Sequence, residues 1–204
     1  MAEHVVDTGR RKMLTVSASV VGTVGTAVAM WPFISTMSPS ARALAAGAPV
    51  EVDVSKLEPG QKIQVEWRRK PVWIVRRSEQ MVSSLNDTDA RVRDPNSEIA
   101  TMQPPFAQNQ IRAIKPEILV LVGICTHLGC SPTFRPEIAP EDLGPDWRGG
   151  FYCPCHGSRF DLAGRVYKNN PANNNLEVPP YKYLSENVLL IGELAEEIEE
   201  EGAA

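Results

Sequence analysis

The sequence predicts a mainly β domain with antiparallel strands, preceded by one N-terminal transmembrane helix. Three observations carry this prediction. Residues 13–34 form an uncharged run of apolar and small residues. From residue 50 onward, short apolar or alternating segments are separated by turns containing Pro and Gly. All four Cys and two of the three His fall between residues 125 and 156, which places a metal site inside the β domain.

The chain has 204 residues, enough for one anchor and one globular domain. Its net charge of −4 offers no basic field for phosphates, so nucleic acid is excluded as a partner. Residues 1–12 read as an N-terminal flank and 13–36 as the membrane anchor, because about 20 apolar residues span a bilayer core as a helix. Trp31 suits the interface and Pro32 the far end. Arg10, Arg11 and Lys12 precede the run, so the positive-inside rule places the N-terminus in the cytoplasm and the rest of the chain across the membrane. Residues 8–14, TGRRKML, also look like a twin-arginine export signal with Met13 where Phe is often found; a cleaved secretion signal is the competing reading.

Residues 37–49 are small and Pro-flanked, and read as a hinge or linker that can be coil or helix, against the plainer reading of a passive tether. The soluble domain runs over 50–194. Val50, Val52 and Val54 alternate with acids, as a strand does. Ile63, Val65 and Trp67, followed by the run from Val72 to Val75, predict a hairpin. Residues 78–116 are polar and Pro-containing, predicting loop with a short helix near 78–85. Ile118 to Ile124 is a continuous apolar strand that leads into Cys125. The connection 131–152 holds four Pro and has no evident role. Phe160 to Tyr167 reads as strand–turn–strand around Gly164, and Val188 to Ile191 as a late strand. Residues 195–204 form an acidic solvated tail.

The chemistry lies in CTHLGC at 125–130 and CPCHGS at 153–158. Each motif supplies thiol and imidazole ligands, Cys125 with His127 and Cys153 with His156, in loops where Gly or Pro lets backbone wrap closely. Two readings compete on these residues: one tetrahedral zinc on two Cys and two His, or a 2Fe–2S cluster with Cys on one iron and His on the other. Cys130 and Cys155 are surplus to either set, and in an exported protein they can pair.

The two motifs resemble the cluster loops of Rieske proteins, and the surplus cysteines resemble the respiratory members. The anchor, the hinge, KPVWIVRR at 70–77 and NLEVPPY at 175–181 extend the likeness to the Rieske subunit family of ubiquinol–cytochrome c reductase, the cytochrome bc complex. The resemblance implies a Rieske-type antiparallel β-sandwich with a cluster-binding subdomain over about 118–183. It implies one 2Fe–2S cluster held by Cys125, His127, Cys153 and His156, and a Cys130–Cys155 disulfide. It assigns His156 to the quinol, where it takes the electron together with the proton. It also assigns Ser158 a hydrogen bond to the cluster, and Leu128 and Pro171 the docking tip and the cluster cover. Where the family has Gly-Pro-Ala-Pro, this chain has Asn170-Pro171-Ala172-Asn173.

The implied function is one-electron transfer from quinol, at a site shared with cytochrome b, to a cytochrome c1-type subunit within a dimeric complex of a bacterial inner membrane, the domain lying in the periplasm. Histidine ligation makes the cluster less negative and raises its potential to about −150 to +300 mV, against about −400 mV for plant-type ferredoxins. The family's usual Tyr two residues after Ser158 is Phe160 here, so a lower potential than in Tyr-bearing relatives is expected. Other expectations compete: the Rieske subunit of another exported oxidoreductase, such as an arsenite oxidase, and a zinc module that docks a partner.

Overall fold

The computed structural model describes residues 7–41 and 47–194, which form two compact units: the N-terminal helix and the domain that follows. The acidic tail from 195 and the middle of the linker, 42–46, lie outside the described residues.

Helix α1 spans Thr8–Ser35, starting five residues before the apolar run. Asp7 caps it, accepting from the backbone N–H of Gly9 and Arg10 at 3.0 and 3.1 Å. The basic residues therefore occupy the first turns rather than a preceding coil. At 28 residues and a mean hydropathy of 1.6 over its most apolar stretch, α1 is long and apolar enough to cross a membrane. The hydroxyls of Thr15, Thr23 and Thr26 donate to carbonyls one turn back, leaving no orphaned donor there for a bilayer to desolvate. Pro32 sits inside the last turn, and the helix stops three residues later.

Among the described residues the domain holds nine strands: β1 (Val50–Asp53), β2 (Lys62–Trp67), β3 (Lys70–Arg76), β4 (Ile118–Val122), β5 (Thr133–Arg135), β6 (Gly150–Cys153), β7 (Ser158–Phe160), β8 (Tyr181–Ser185) and β9 (Val188–Ile191). They form three three-stranded sheets, ordered β1-β9-β8, β2-β3-β4 and β5-β6-β7, and every pairing is antiparallel. The predicted β2–β3 hairpin turns at Arg68 and Arg69, both with positive φ, the geometry of a tight two-residue turn. β4 is buried at all five positions, as its unbroken apolar run requires of a strand covered on both faces. Short helices α2 (Glu79–Ser83) and α3 (Leu85–Thr88) occupy the predicted helical stretch.

One core serves all three sheets. Val52, Leu189 and Ile191 come from the first, Trp73, Leu119 and Leu121 from the second, and Phe151 and Phe160 from the third. Trp73 stacks on Phe151 with ring centroids 5.4 Å apart, bridging the second and third sheets.

The segment 78–116 has little regular structure, and two buried arginines bind it to the rest. Arg112 donates to the carbonyls of Met102, Ala163, Gly164 and Leu176 and to the Gln103 side chain. Arg165 donates to Asp161 at 2.7 Å, to Asp89 at 2.5 Å, and to the oxygens of Leu85 and Thr88. Each guanidinium satisfies loop oxygens that no sheet would reach.

The 131–152 connection is also ordered, which its composition does not predict. It contributes β5, and Arg135 grips both carboxylate oxygens of Asp142 at 2.8 and 2.9 Å. Trp147 is buried, donates its indole N–H to the Arg135 carbonyl at 3.1 Å, and stacks on Tyr167 at 6.2 Å.

Candidate metal centre

Strand β4 delivers the chain to the first motif. Gly123 is required there because a Cβ would lie 2.2 Å from the Trp73 indole. The loop then closes on itself: the Cys125 N–H donates to the Cys130 carbonyl at 2.7 Å and the Gly129 N–H to the Cys125 carbonyl at 3.0 Å. The second motif joins β6 to β7, so Cys153 ends one strand and Ser158 begins the next, and the two residues pair in register. Its Gly157 N–H donates to the Cys153 carbonyl at 2.9 Å with φ of +75°, a conformation glycine adopts without steric cost.

Cys130 and Cys155 form a disulfide across 25 residues, locking the two loops together. A third segment fastens to both. Thr126 Oγ1 donates to the Asn174 carbonyl at 2.6 Å, Ser158 Oγ accepts from the Ala172 N–H at 3.1 Å, and Asn170 Oδ1 accepts from the Arg159 N–H at 3.0 Å. Pro171 is exposed and lines the same groove as His156 and Gly157.

The chemistry-bearing side chains sort by depth. Cys125 and Cys153 are buried free thiols. Burial pushes the Cys153 thiol up, and the neighbouring Cys125 thiol adds to the shift. His127 is half-buried and His156 exposed, their rings 4.8 Å apart and nearly perpendicular. Leu128 stands beside them, 72 % exposed at the tip. Ser158 is fully buried, and accepting from Ala172 leaves its O–H to donate. Phe160 is fully buried in the core, with no polar atom to offer.

This layout suits a centre with two chemically different ends, thiols inward and imidazoles outward. It does not suit a single zinc. Four ligand atoms on one tetrahedral zinc, with bonds of about 2.0–2.3 Å, lie within about 4 Å of one another. Among the described residues, the group of three potential ligand atoms that closes to within 4.8 Å is Cys130, Cys153 and Cys155, and two of those sulfurs are bonded to each other. Among the described residues, Cys125, His127, Cys153 and His156 do not close to that distance as a set.

The motifs brought the two Cys–His pairs to light and the family resemblance added Ser158 and Pro171; the structure brings the two motifs and the third segment together. Neither revealed the supports: Gly123 under the Trp73 indole, Thr126 on the third segment, and Asn175, whose buried amide accepts from the Val166 N–H and donates to the Asp94 carbonyl. No local pattern marks such residues, because each acts across 48 or more positions or through packing alone, apart from the nearby Val166 contact.

Known proteins agree with this centre. Residues 93–182 match the family described as the Rieske 2Fe–2S domain, and residues 1–40 match "Ubiquitinol-cytochrome C reductase Fe-S subunit TAT signal". The chain is 57 % identical over 193 residues to the ubiquinol-cytochrome c reductase iron-sulfur subunit of Allochromatium vinosum, covering 95 % of this chain and 93 % of that one. It is 42 % identical to the subunit of the same name from Bradyrhizobium diazoefficiens, over 90 % of this chain and 94 % of that one. It is 45 % identical over 161 residues to the mitochondrial cytochrome b-c1 complex subunit Rieske-1 of Nicotiana tabacum, over 78 % of this chain and 54 % of that one. The cofactor is one Rieske-type 2Fe–2S cluster. With thiols, imidazoles and disulfide arranged as this centre needs, and with identity sustained over nearly its full length, the chain belongs to the Rieske iron–sulfur subunit family of ubiquinol–cytochrome c reductase.

Proposed function

We propose that Cys125 and Cys153 ligate one iron of the cluster and His127 and His156 the other, and that His156 is the residue that meets quinol. The observation that carries this reading is the separation of the pairs by depth: both thiols are buried, and the two imidazoles lie together toward solvent. The bound cluster supplies a one-electron couple at a potential raised by its neutral histidine ligands. The chain's own residues supply the rest. His156 is exposed; it would hold the cluster through one ring nitrogen and offer the other to the hydroxyl proton of quinol. Leu128 excludes water beside that contact, and the third segment, tied to Ser158 and Thr126, covers the inner face. Buried surroundings keep the thiol end dry.

The protein works as the electron-transfer subunit between quinol and a c-type cytochrome, with cytochrome b and a cytochrome c1-type subunit as partners inside a dimeric complex. α1 is its anchor, Arg10, Arg11 and Lys12 hold the N-terminus in the cytoplasm, and the β domain is periplasmic. Residues 37–49 are the hinge between them.

The test is composition and turnover in one preparation. Purified from its own membranes, the protein should carry non-haem iron and acid-labile sulfide in equal amounts, copurify with cytochrome b, and be reduced by added quinol. Zinc in place of sulfide, or a molybdenum subunit in place of cytochrome b, would overturn the reading.

A further inference from the structure

Beside His156 the surface opens into a groove of about 690 Å³. The 131–152 connection builds one wall through Asp146 and Trp147, and residues 167–171 build another. The groove is cationic although the chain as a whole carries −4: Arg91, Arg159 and Lys168 line it against a single acid, Asp146. That acid is 89 % exposed and pairs loosely with Arg91 at 3.8 Å, which leaves Arg159 and Lys168 without an acid among the lining residues. Lys168 is braced by the Ala90 carbonyl at 2.8 Å, and Arg91 by the Asp146 carbonyl at 2.7 Å. The Arg159 side chain has no hydrogen-bond or ion-pair partner among the described residues, while its backbone N–H is pinned to Asn170. Arg91 and Lys168 are thus held in place next to the exposed His156, and the Arg159 side chain stands beside them unspent.

We propose that this groove is the seat for an acidic segment of the electron-accepting cytochrome, with Arg159 as its central contact and the 131–152 connection as the wall that shapes it. The inference rests on the electron-transfer reading above and names the chemistry of the partner at the same site. Charge complementarity at such a rim governs how quickly and in which orientation surfaces meet, so it acts on the step that leaves the cluster. The connection's tight fold, with Trp147 stacked on Tyr167 and Arg135 clamping Asp142, holds that wall rigid.

The test uses the full-length protein assembled in its complex in native membranes. Arg159→Glu with Lys168→Glu is compared with wild type and with Lys56→Glu, an exposed cation on the turn after β1. Two rates are followed separately: quinol to cluster, and cluster to c-type cytochrome. At low salt the double variant should lose about tenfold or more in the second rate, keep the first rate and the cluster's EPR signal, and show a flattened dependence on ionic strength. Lys56→Glu should match wild type, and Arg159→Lys should recover most of the loss. Cytochrome reduction unchanged at low salt in the double variant would overturn the proposal, as would equal losses in both rates. Failure of quinol to reduce the wild-type cluster would instead sink the electron-transfer reading itself, so the two failures are distinguishable.

Discussion

Ser158 uses one hydroxyl twice. Its oxygen accepts from the Ala172 N–H at 3.1 Å, and its proton remains free to donate, in the proposed reading to a sulfur of the cluster. Ser158→Ala therefore removes a donor to the cluster and orphans a buried amide, at a cost of about 1–3 kcal/mol. Both effects should appear together, as a lowered potential in voltammetry and a lower urea midpoint; a change in only one would separate the two roles. Phe160 acts by what it lacks. It lies in register with Phe151 and is fully buried, so its ring packs the core without reaching the cluster with a dipole. Phe160→Tyr should raise the potential, and an unchanged value in the same titration would remove that account of its tuning.

At the scale of elements, the centre is built by two loops that are each closed by their own backbone and then locked together. Replacing both Cys130 and Cys155 by Ser frees a closed loop of 25 residues' separation. In the chain-entropy account that costs roughly 3–4 kcal/mol. The expected result is loss of iron at lower urea concentration than in wild type, with the double variant insensitive to added reductant. Arg112 and Arg165 do comparable work for the long segment 78–116: fully buried, they join loop carbonyls and acids that lie up to 80 positions apart in the chain. This explains how a stretch with little helix or strand remains fixed against the third sheet. The same holds for 131–152, where four prolines suggested an idle excursion. One stacked Trp and one clamped Arg turn it into a wall instead.

At the scale of the whole molecule, the hinge proposed at 37–49 implies a β domain that reaches a quinol site and a cytochrome in turn from an anchored α1. Prolines introduced through 37–49 would stiffen the connection without altering α1 or any strand of the domain, the first of which begins at Val50. Steady-state quinol oxidation by the assembled complex should fall severalfold while the iron content and EPR signal stay normal. Undiminished turnover would show that the segment is a passive tether. Since such domain movements belong to the microsecond-to-millisecond range, the loss should appear in rates and not in equilibrium potentials.

What the sequence determined by itself was whatever depends on short-range pattern. The unbroken apolar run predicts α1, alternation and continuity predict β1, the β2–β3 hairpin, β4 and β9, and the ligand types at 125–130 and 153–158 announce a metal centre. Helix α1 starts earlier than the apolar run because Asp7 caps it, and β5, β6 and β8 went unpredicted because short strands beside polar, Pro-bearing stretches carry little signal. Spacing alone left zinc and cluster both open. The match to the Rieske 2Fe–2S domain decided between them, and the tertiary structure added the depth of each thiol and imidazole, a property of segments brought together from distant parts of the chain. Only the tertiary structure decided what the prolines of 131–152 and the buried arginines are for. Their partners are distant in the chain, and a contact between distant residues leaves no mark on either stretch of sequence.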